Sequence, residues 1–195
     1  MKRPLELLLA LLGVVLLGPI MIVTAAAVRC TSRGPVLFRQ ERVGLRGRPF
    51  RITKFRTMRT GARGPRVTAS RDPRITGIGK CLRATKLDET PQLFNVIRGD
   101  MSLVGPRPEL AEFADQWPAG SREIILSIRP GITDPASIEY RREEDELAAC
   151  PDPQQHYIEV ILPRKAAHYV AYVQSRSLRG DCAILARTLR AVLVG

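Results

Sequence analysis

The chain has 195 residues, a formal net charge of +12 and only 5% aromatic residues. That length suits one domain with an appendage, and the charge points to an anionic partner: nucleic acid, an acidic membrane face or a phosphorylated substrate. Scarce aromatics without an RNA-recognition or zinc-finger pattern argue against stacked nucleic acid, and Cys30, Cys81, Cys150 and Cys182 form no Cys-x-x-Cys pair, which argues against zinc and for reduced thiols.

Lys2 and Arg3 precede an apolar run from Leu5 to Val28 whose only charge is Glu6. Three readings fit. A signal peptide would use Lys2-Arg3 as its basic start and Ala25-Ala26-Ala27 as a cleavage site. A single spanning helix needs about 20 apolar residues, which the run supplies. The third is a hairpin that enters the bilayer and returns to the same face. Two features favour it: Pro19 removes a backbone donor and clashes with the preceding turn, so a bend belongs there, and Arg29 and Arg33 make the far flank basic as well, whereas a spanning helix carries that bias on one side.

Val36–Phe38 and Phe50–Thr53 read as strands joined by a Gly44/Gly47 loop. The Arg and Lys density around them reads as a solvated sheet face or an anchor to acidic lipid. Gly61 to Asp72 is a loop by composition, and Lys80 to Arg83 a short helix. Thr85 then stands as an N-cap with Asp88 at capping-box spacing. Leu93, Phe94, Val96 and Ile97 give the helix an apolar face, and Gly99 is its C-cap. Met101–Val104 reads as a buried strand, and Arg107 sits between Pro106 and Pro108, whose φ angles are fixed. Asp88 and Glu89 in a first helical turn offset the helix dipole on the plain reading. Lys80, Arg83, Lys86, Arg98 and Arg107 surround them, however, and a helix start among cations suits a phosphate or a metal bridging to one. An ionised Asp also attacks phosphorus directly in acyl-phosphate chemistry.

Beyond Pro108 the pattern is mostly helical. Glu109–Trp117 is one helix, Ser121 caps another through Ile128, and Arg129–Pro135 is a tight loop in which Arg129 is either a phosphate clamp or a surface residue beside a turn. Glu143–Glu146 reads as a solvated helix face. Asp152-Pro153 opens a helix to Leu162. His156 and His168 lack ligand partners at useful spacing, which favours packing or surface roles. Asp181 precedes an amphipathic helix with Ile184, Leu185, Leu189 and Val192; it either supports a site or compensates the helix dipole. The expected fold is α+β, mostly helical with a small β-hairpin, divided into a membrane helix over 1–28 and a catalytic domain with interfacial helices over 29–195.

Leu82-Arg83, Leu87-Asp88-Glu89, Pro91-Gln92, Asn95-Val96 and Gly99 through Pro108 together resemble the signature of the bacterial sugar transferases, the small membrane-associated polyprenyl-phosphate phosphoglycosyl transferases. Gln40–Gly44, Lys54–Met58, Thr76–Gly79, Pro130–Thr133 and Tyr169–Asp181 are similar to further family motifs, so the resemblance covers essentially the whole chain. Lys86, Thr90, Gly18 and Asp134 stand where the family often has a small hydroxyl residue, leucine, serine and glycine.

The resemblance implies a monotopic, re-entrant helix broken at Pro19, with Met1 and Gly195 both on the cytoplasmic face of the bacterial inner membrane. It implies transfer of a phosphosugar from a UDP-sugar to polyprenyl (undecaprenyl) phosphate, releasing UMP, as the first membrane step of glycoconjugate assembly. Asp88 would be the nucleophile and a ligand of Mg²⁺, with Glu89 beside it positioning metal or managing a proton. Lys54 would lie near the site, and Arg83, Arg107 and Arg129 would bind phosphate, with Pro106, Pro108 and Asp181 supporting. No nucleic acid is expected as a partner; the sugar, the pathway and the oligomeric state, a homodimer included, stay open. A different class, a non-catalytic membrane-anchored basic module binding acidic lipid or nucleic acid, accounts for the charge and the anchor but not for the Asp88-Glu89 and Pro106-Arg107-Pro108 setting.

Overall fold

The computed structural model describes the backbone of residues 2–62, 64–70, 72–141 and 143–194, and the side chains of these as far as residue 191. Met1 and Gly195, on which the expectation about the chain ends falls, and the Val192 side chain lie outside the described residues.

Helix α1 (Lys2–Thr31) is rich in Leu and Ala, good helix formers. One stripe of it faces the rest of the chain: Glu6, Ala10, Thr24 and Val28 are buried, with Val14, Leu17, Met21 and Ala25 partly buried beside them. Spacings of three and four put these on one helix face. The opposite side is just as apolar, and Leu8, Val15, Ile22 and Val23 leave 62–72% of their surface exposed. An apolar flank of that extent needs an apolar medium or partner. The expected division at Pro19 is corrected, because the helix continues through it. Pro19 stands on the exposed side, so its ring and missing N–H leave the packed stripe from Leu17 to Met21 intact.

Strands β1 (Leu37–Val43) and β2 (Pro49–Phe55) pair antiparallel from Leu37↔Phe55 to Val43↔Pro49. They are longer than expected and take in Gln40–Arg42 and Lys54. Helix α2 (Gly77–Ala84) starts earlier than expected because the Thr76 hydroxyl accepts the Gly79 N–H at 3.0 Å. Helix α3 (Gln92–Arg98) ends at Gly99 with φ 97°. Strand β3 (Ser102–Val104) is fully buried, followed by α4 (Ala111–Ala114) and α5 (Ser121–Leu126). The chain then returns as β4 (Gly131–Thr133), parallel to β3, within the stretch expected to be a loop. Gly105 and Gly131 meet backbone to backbone, and a Cβ on Gly131 would run into the Gly105 main chain. Helices α6 (Pro135–Glu139), α7 (Glu143–Ala148) and α8 (Pro153–His156) follow. A π-helical turn over Tyr157–Ile161 leads into α9 (Leu162–Ser175) and α10 (Leu178–Val194).

Among the described residues, three apolar clusters hold these elements. Trp117, Ile125, Leu147, Ile161 and Tyr169 fill the first, among the helices after β3. Ala10, Leu93, Met101, Val104 and Ile184 join α1, α3, β3 and α10. Val28, Phe55 and Leu82 tie the end of α1 to β2 and α2. The fold is mostly helical with two small sheets, and α1 is a wall of two of its three clusters.

Candidate active site

Between α2 and α3 the chain reverses sharply. The Thr85 hydroxyl donates back to the Cys81 carbonyl at 2.9 Å and closes α2. Lys86 takes a left-handed backbone at φ 57°, and Leu87–Glu89 makes a single 3₁₀ turn. The expected N-cap at Thr85 and capping box through Asp88 are corrected: Thr85 ends a helix, and α3 begins behind Pro91, which has no N–H to continue a helix from Thr85.

The turn is buried against β2 and the end of α1, with Leu87 packed among Val28, Phe55 and Leu82. Asp88 is 6% and Glu89 9% exposed, yet the two adjacent carboxylates meet different surroundings. The Lys54 ammonium donates to Glu89 Oε1 at 2.8 Å. The Arg107 guanidinium grips both Glu89 oxygens, donating to Oε1 and, at 3.3 Å, to Oε2. Burial alone would raise the Glu89 carboxyl, but Arg107 and then Lys54 outweigh it and hold it well below the usual carboxylate range. Glu89 in return holds Arg107 well above its ordinary value, while burial lowers Lys54. Asp88 has no such brace: its Oδ1 is buried without a hydrogen-bond partner among the described residues. Burial, then the Glu89 charge, push its carboxyl up to about 6, against the pull of Lys54, Arg83 and Lys86. One carboxylate is a fixed anion and its neighbour is poised near neutrality, the kind of split that marks reactive sites.

Asn95 supplies the frame, a role the sequence reading did not assign. Its Oδ1 accepts the Thr53 N–H at 3.1 Å and its Nδ2 donates to the Arg51 carbonyl at 2.8 Å, fully buried. This sews α3 to β2 and fixes Lys54 opposite Glu89. The available signal was an amide set into the apolar face of Leu93–Ile97. Arg107 is positioned from both sides: the Pro106 carbonyl accepts the Gly131 N–H at 2.9 Å, and the Pro108 carbonyl accepts from Arg42 at 3.2 Å.

A family model described as bacterial sugar transferase matches residues 1–195. The chain belongs to the bacterial sugar transferase family. This sugar transferase is 40% identical to the UDP-glucose:undecaprenyl-phosphate glucose-1-phosphate transferase of Caulobacter vibrioides, over 98% of this chain and 69% of that protein. It is 38% identical to the UDP-N-acetylgalactosamine-undecaprenyl-phosphate N-acetylgalactosaminephosphotransferase of Aeromonas hydrophila, over 100% of this chain and 44% of that one. A UDP-glucose:undecaprenyl-phosphate glucose-1-phosphate transferase of Escherichia coli K12 is 41% identical over 75% of this chain and 33% of its own length. The chain thus spans less than half of the latter two relatives. Relatives named for different sugars lie at nearly equal identity, so similarity selects no sugar for this transferase.

The remaining expected site residues of the sugar transferase are dispersed. Arg83 pairs with Glu144, while its charge is felt at Asp88. Arg129 donates through Nε to the Gly99 carbonyl at 2.8 Å. Asp181 is held by Tyr172 at 2.6 Å and Lys2 at 2.6 Å. Neither Arg129 nor Asp181 contacts the carboxylate pair. Asp134 is a buried cap of α6, accepting the Ser137 N–H at 2.9 Å. In the Glu143–Glu146 run Asp145 is exposed and Glu144 and Glu146 are partly exposed, as a solvated face requires, while Glu143 pairs with the buried Lys165 at 2.7 Å. His156 and His168 sit near surface glutamates, at 2.9 Å from Glu146 and 3.4 Å from Glu139. A concavity of about 540 Å³ lined by Pro65, Asp152 and Ile158 contains none of the expected site residues.

Among the described residues no group of three or more His, Cys, Asp or Glu side chains forms a metal cage. Mg²⁺ needs none, since it keeps several waters and commonly binds one or two carboxylates together with substrate phosphates. The partnerless Asp88 oxygen fits that role.

Proposed function

We propose that this sugar transferase moves a sugar 1-phosphate from a UDP-sugar to polyprenyl phosphate, releasing UMP, through a covalent adduct on Asp88. The activities for which its relatives are named support the donor and acceptor classes. The observation that carries the roles is the split pair: Glu89 is locked between Lys54 and Arg107, and Asp88 keeps a buried oxygen without a hydrogen-bond partner among the described residues.

A carboxylate oxygen of Asp88 attacks the phosphorus that bears the sugar. The bond from that phosphorus to the bridging oxygen breaks, and UMP leaves with the electron pair. A phosphate oxygen of the acceptor then attacks the same phosphorus. The Asp88–phosphorus bond breaks, which regenerates the carboxylate and forms the polyprenyl diphosphosugar. Lys54 and Arg107 offer cationic donors to the transferred phosphoryl oxygens, a role that preorganised charge fulfils best when water is excluded. Arg107 in particular presents the fork that suits phosphate. Mg²⁺ held by Asp88 and substrate phosphates would supply neutralisation of the diphosphate charge.

The membrane reading rests on α1. Its inner stripe packs along the domain from Glu6 to Val28 while its outer flank is apolar. A helix held at both ends by one domain suits a monotopic disposition with both ends at the cytoplasmic face and the outer flank in the near leaflet. A basic lipid-binding module without catalysis has no use for the buried Asp88-Glu89 pair. Incubation with a panel of UDP-sugars and polyprenyl phosphate tests the proposal. UMP release and, with donor alone, a phosphosugar adduct on Asp88 by intact mass are expected; absence of both refutes it. Labelling that finds the two ends of α1 on opposite sides of a vesicle refutes the monotopic reading.

A further inference from the structure

The start of α1 carries a polar cluster that the chemistry above does not use. Lys2, Arg3 and Glu6 sit at the mouth of the second apolar cluster, and each reaches a different part of the domain. Lys2 Nζ lies 2.6 Å from Asp181 Oδ2 on α10 and 3.4 Å from the Tyr172 hydroxyl on α9. Tyr172 donates to Asp181 Oδ1 at 2.6 Å and stands 3.2 Å from the Val104 carbonyl of β3. Arg3 donates to the carbonyls of Val96, in α3, and of Met101 at 3.0 Å. Glu6 lies 3.6 Å from Arg3, 3.7 Å from Lys2 and 3.5 Å from the Ser102 hydroxyl. Glu6, Asp181 and Tyr172 are 7%, 5% and 6% exposed.

What these groups hold is specific. Four of the gripped atoms belong to one stretch, Val96 to Val104. Upstream of it lies the Asp88-Glu89 turn, and downstream Pro106-Arg107-Pro108. A helix whose apolar face needed only burial would not require buried ions at its first turn, and burying such ions is costly unless each is paired.

We propose that Lys2, Arg3 and Glu6, with Asp181 and Tyr172, form a latch through which the seated membrane helix sets the position of Arg107 relative to Asp88 and Glu89. Asp181 and Tyr172 are then positioning residues for phosphoryl transfer; they touch no reacting atom. The kinetic half of this inference rests on the transferase reading, and the structural half does not.

The test compares the full chain with Asp181→Asn, Tyr172→Phe, Lys2→Met and Lys2→Arg, all in vesicles of anionic phospholipid. UMP release gives kcat and KM for the UDP-sugar, and amide hydrogen exchange is read over residues 101–107. A displacement of about 1 Å far from the chemistry costs up to about 100-fold in rate. The latch therefore predicts kcat lower by about 10- to 100-fold in Asp181→Asn, Tyr172→Phe and Lys2→Met, with KM changed less than about twofold. It also predicts faster exchange over 101–107 in those three and recovery of both readouts in Lys2→Arg. Lys2 is half-exposed at the surface, so its variants stay informative should Asp181→Asn fail to fold. Unchanged kcat and exchange overturn the latch, as does a loss of stability without the kcat effect. A wild-type chain that releases no UMP refutes the transferase reading instead, and exchange over 101–107 alone then decides the latch.

Discussion

Replacing Asp88 with asparagine is expected to abolish turnover and to stabilise the fold. Burial and the neighbouring Glu89 raise the Asp88 carboxyl from its ordinary 3.8 to about 6. The folded chain therefore keeps this proton to higher pH than the unfolded chain, and stability falls as pH rises from about 4 to about 6. Each tenfold in proton affinity is worth about 1.4 kcal/mol, so holding the charge at pH 7.5 costs the fold about 3 kcal/mol. Asp88→Asn removes that cost, and the unpartnered amide takes back about 1 kcal/mol. The remaining gain of about 2 kcal/mol corresponds to a melting temperature roughly 4–8 °C higher for a chain of this size. The amide offset is the same at every pH, so the advantage of the variant should shrink by about 2 kcal/mol between pH 7.5 and pH 4. Thermal unfolding of both proteins in one detergent, without divalent cations, measures this. Wild-type kcat should also fall as pH drops through about 6, because the attacking form is the carboxylate. A variant that melts no higher than wild type at pH 7.5, or keeps substantial UMP release, refutes the reasoning.

Glu89→Gln breaks a buried pair and leaves Arg107 and Lys54 underpaired; a loss of about 3–5 kcal/mol is expected by thermal unfolding, with turnover abolished. Because Glu89 is held well below its ordinary 4.5, its contribution to stability is full above that value and fades on acidification through the lower folded-state value. Asn95→Leu leaves the Thr53 N–H and the Arg51 carbonyl without their partner, and chemical denaturation should show a loss of about 1–3 kcal/mol. Gly131→Ala drives a Cβ into the Gly105 backbone; it should cost about 1–3 kcal/mol by the same assay and lower UMP release by shifting Arg107.

Much of this was legible in the sequence, where local chemistry is decisive. The apolar run predicts a helix at the start of the chain, though not its continuity through Pro19, Gly99 predicts the end of α3, and Gly44 with Gly47 places the hairpin turn. The Asp88-Glu89 stretch reads as a helix start because Thr85 and Asp88 satisfy a capping pattern; Pro91 and the left-handed Lys86, both tertiary commitments, decide otherwise. The β3–β4 pairing was invisible because it joins two three-residue segments through a glycine contact. At the site, the basic residues near Asp88 were apparent, but which of them grip Glu89 depends on Asn95 setting β2 beside α3. The partners of Lys2 were beyond reach, since Asp181 and Tyr172 come from the far end of the chain.

Because α1 closes two apolar clusters as well as presenting a greasy flank, it cannot be trimmed away to obtain a water-soluble enzyme. Deleting residues 2–31 would strip the cover from Leu93, Phe55 and Leu82 and wet them. Insolubility would thus move from the outside of the molecule to its interior. Purification has to treat the helix as part of the enzyme, with surfactant shielding one side of a rod whose other side is already occupied.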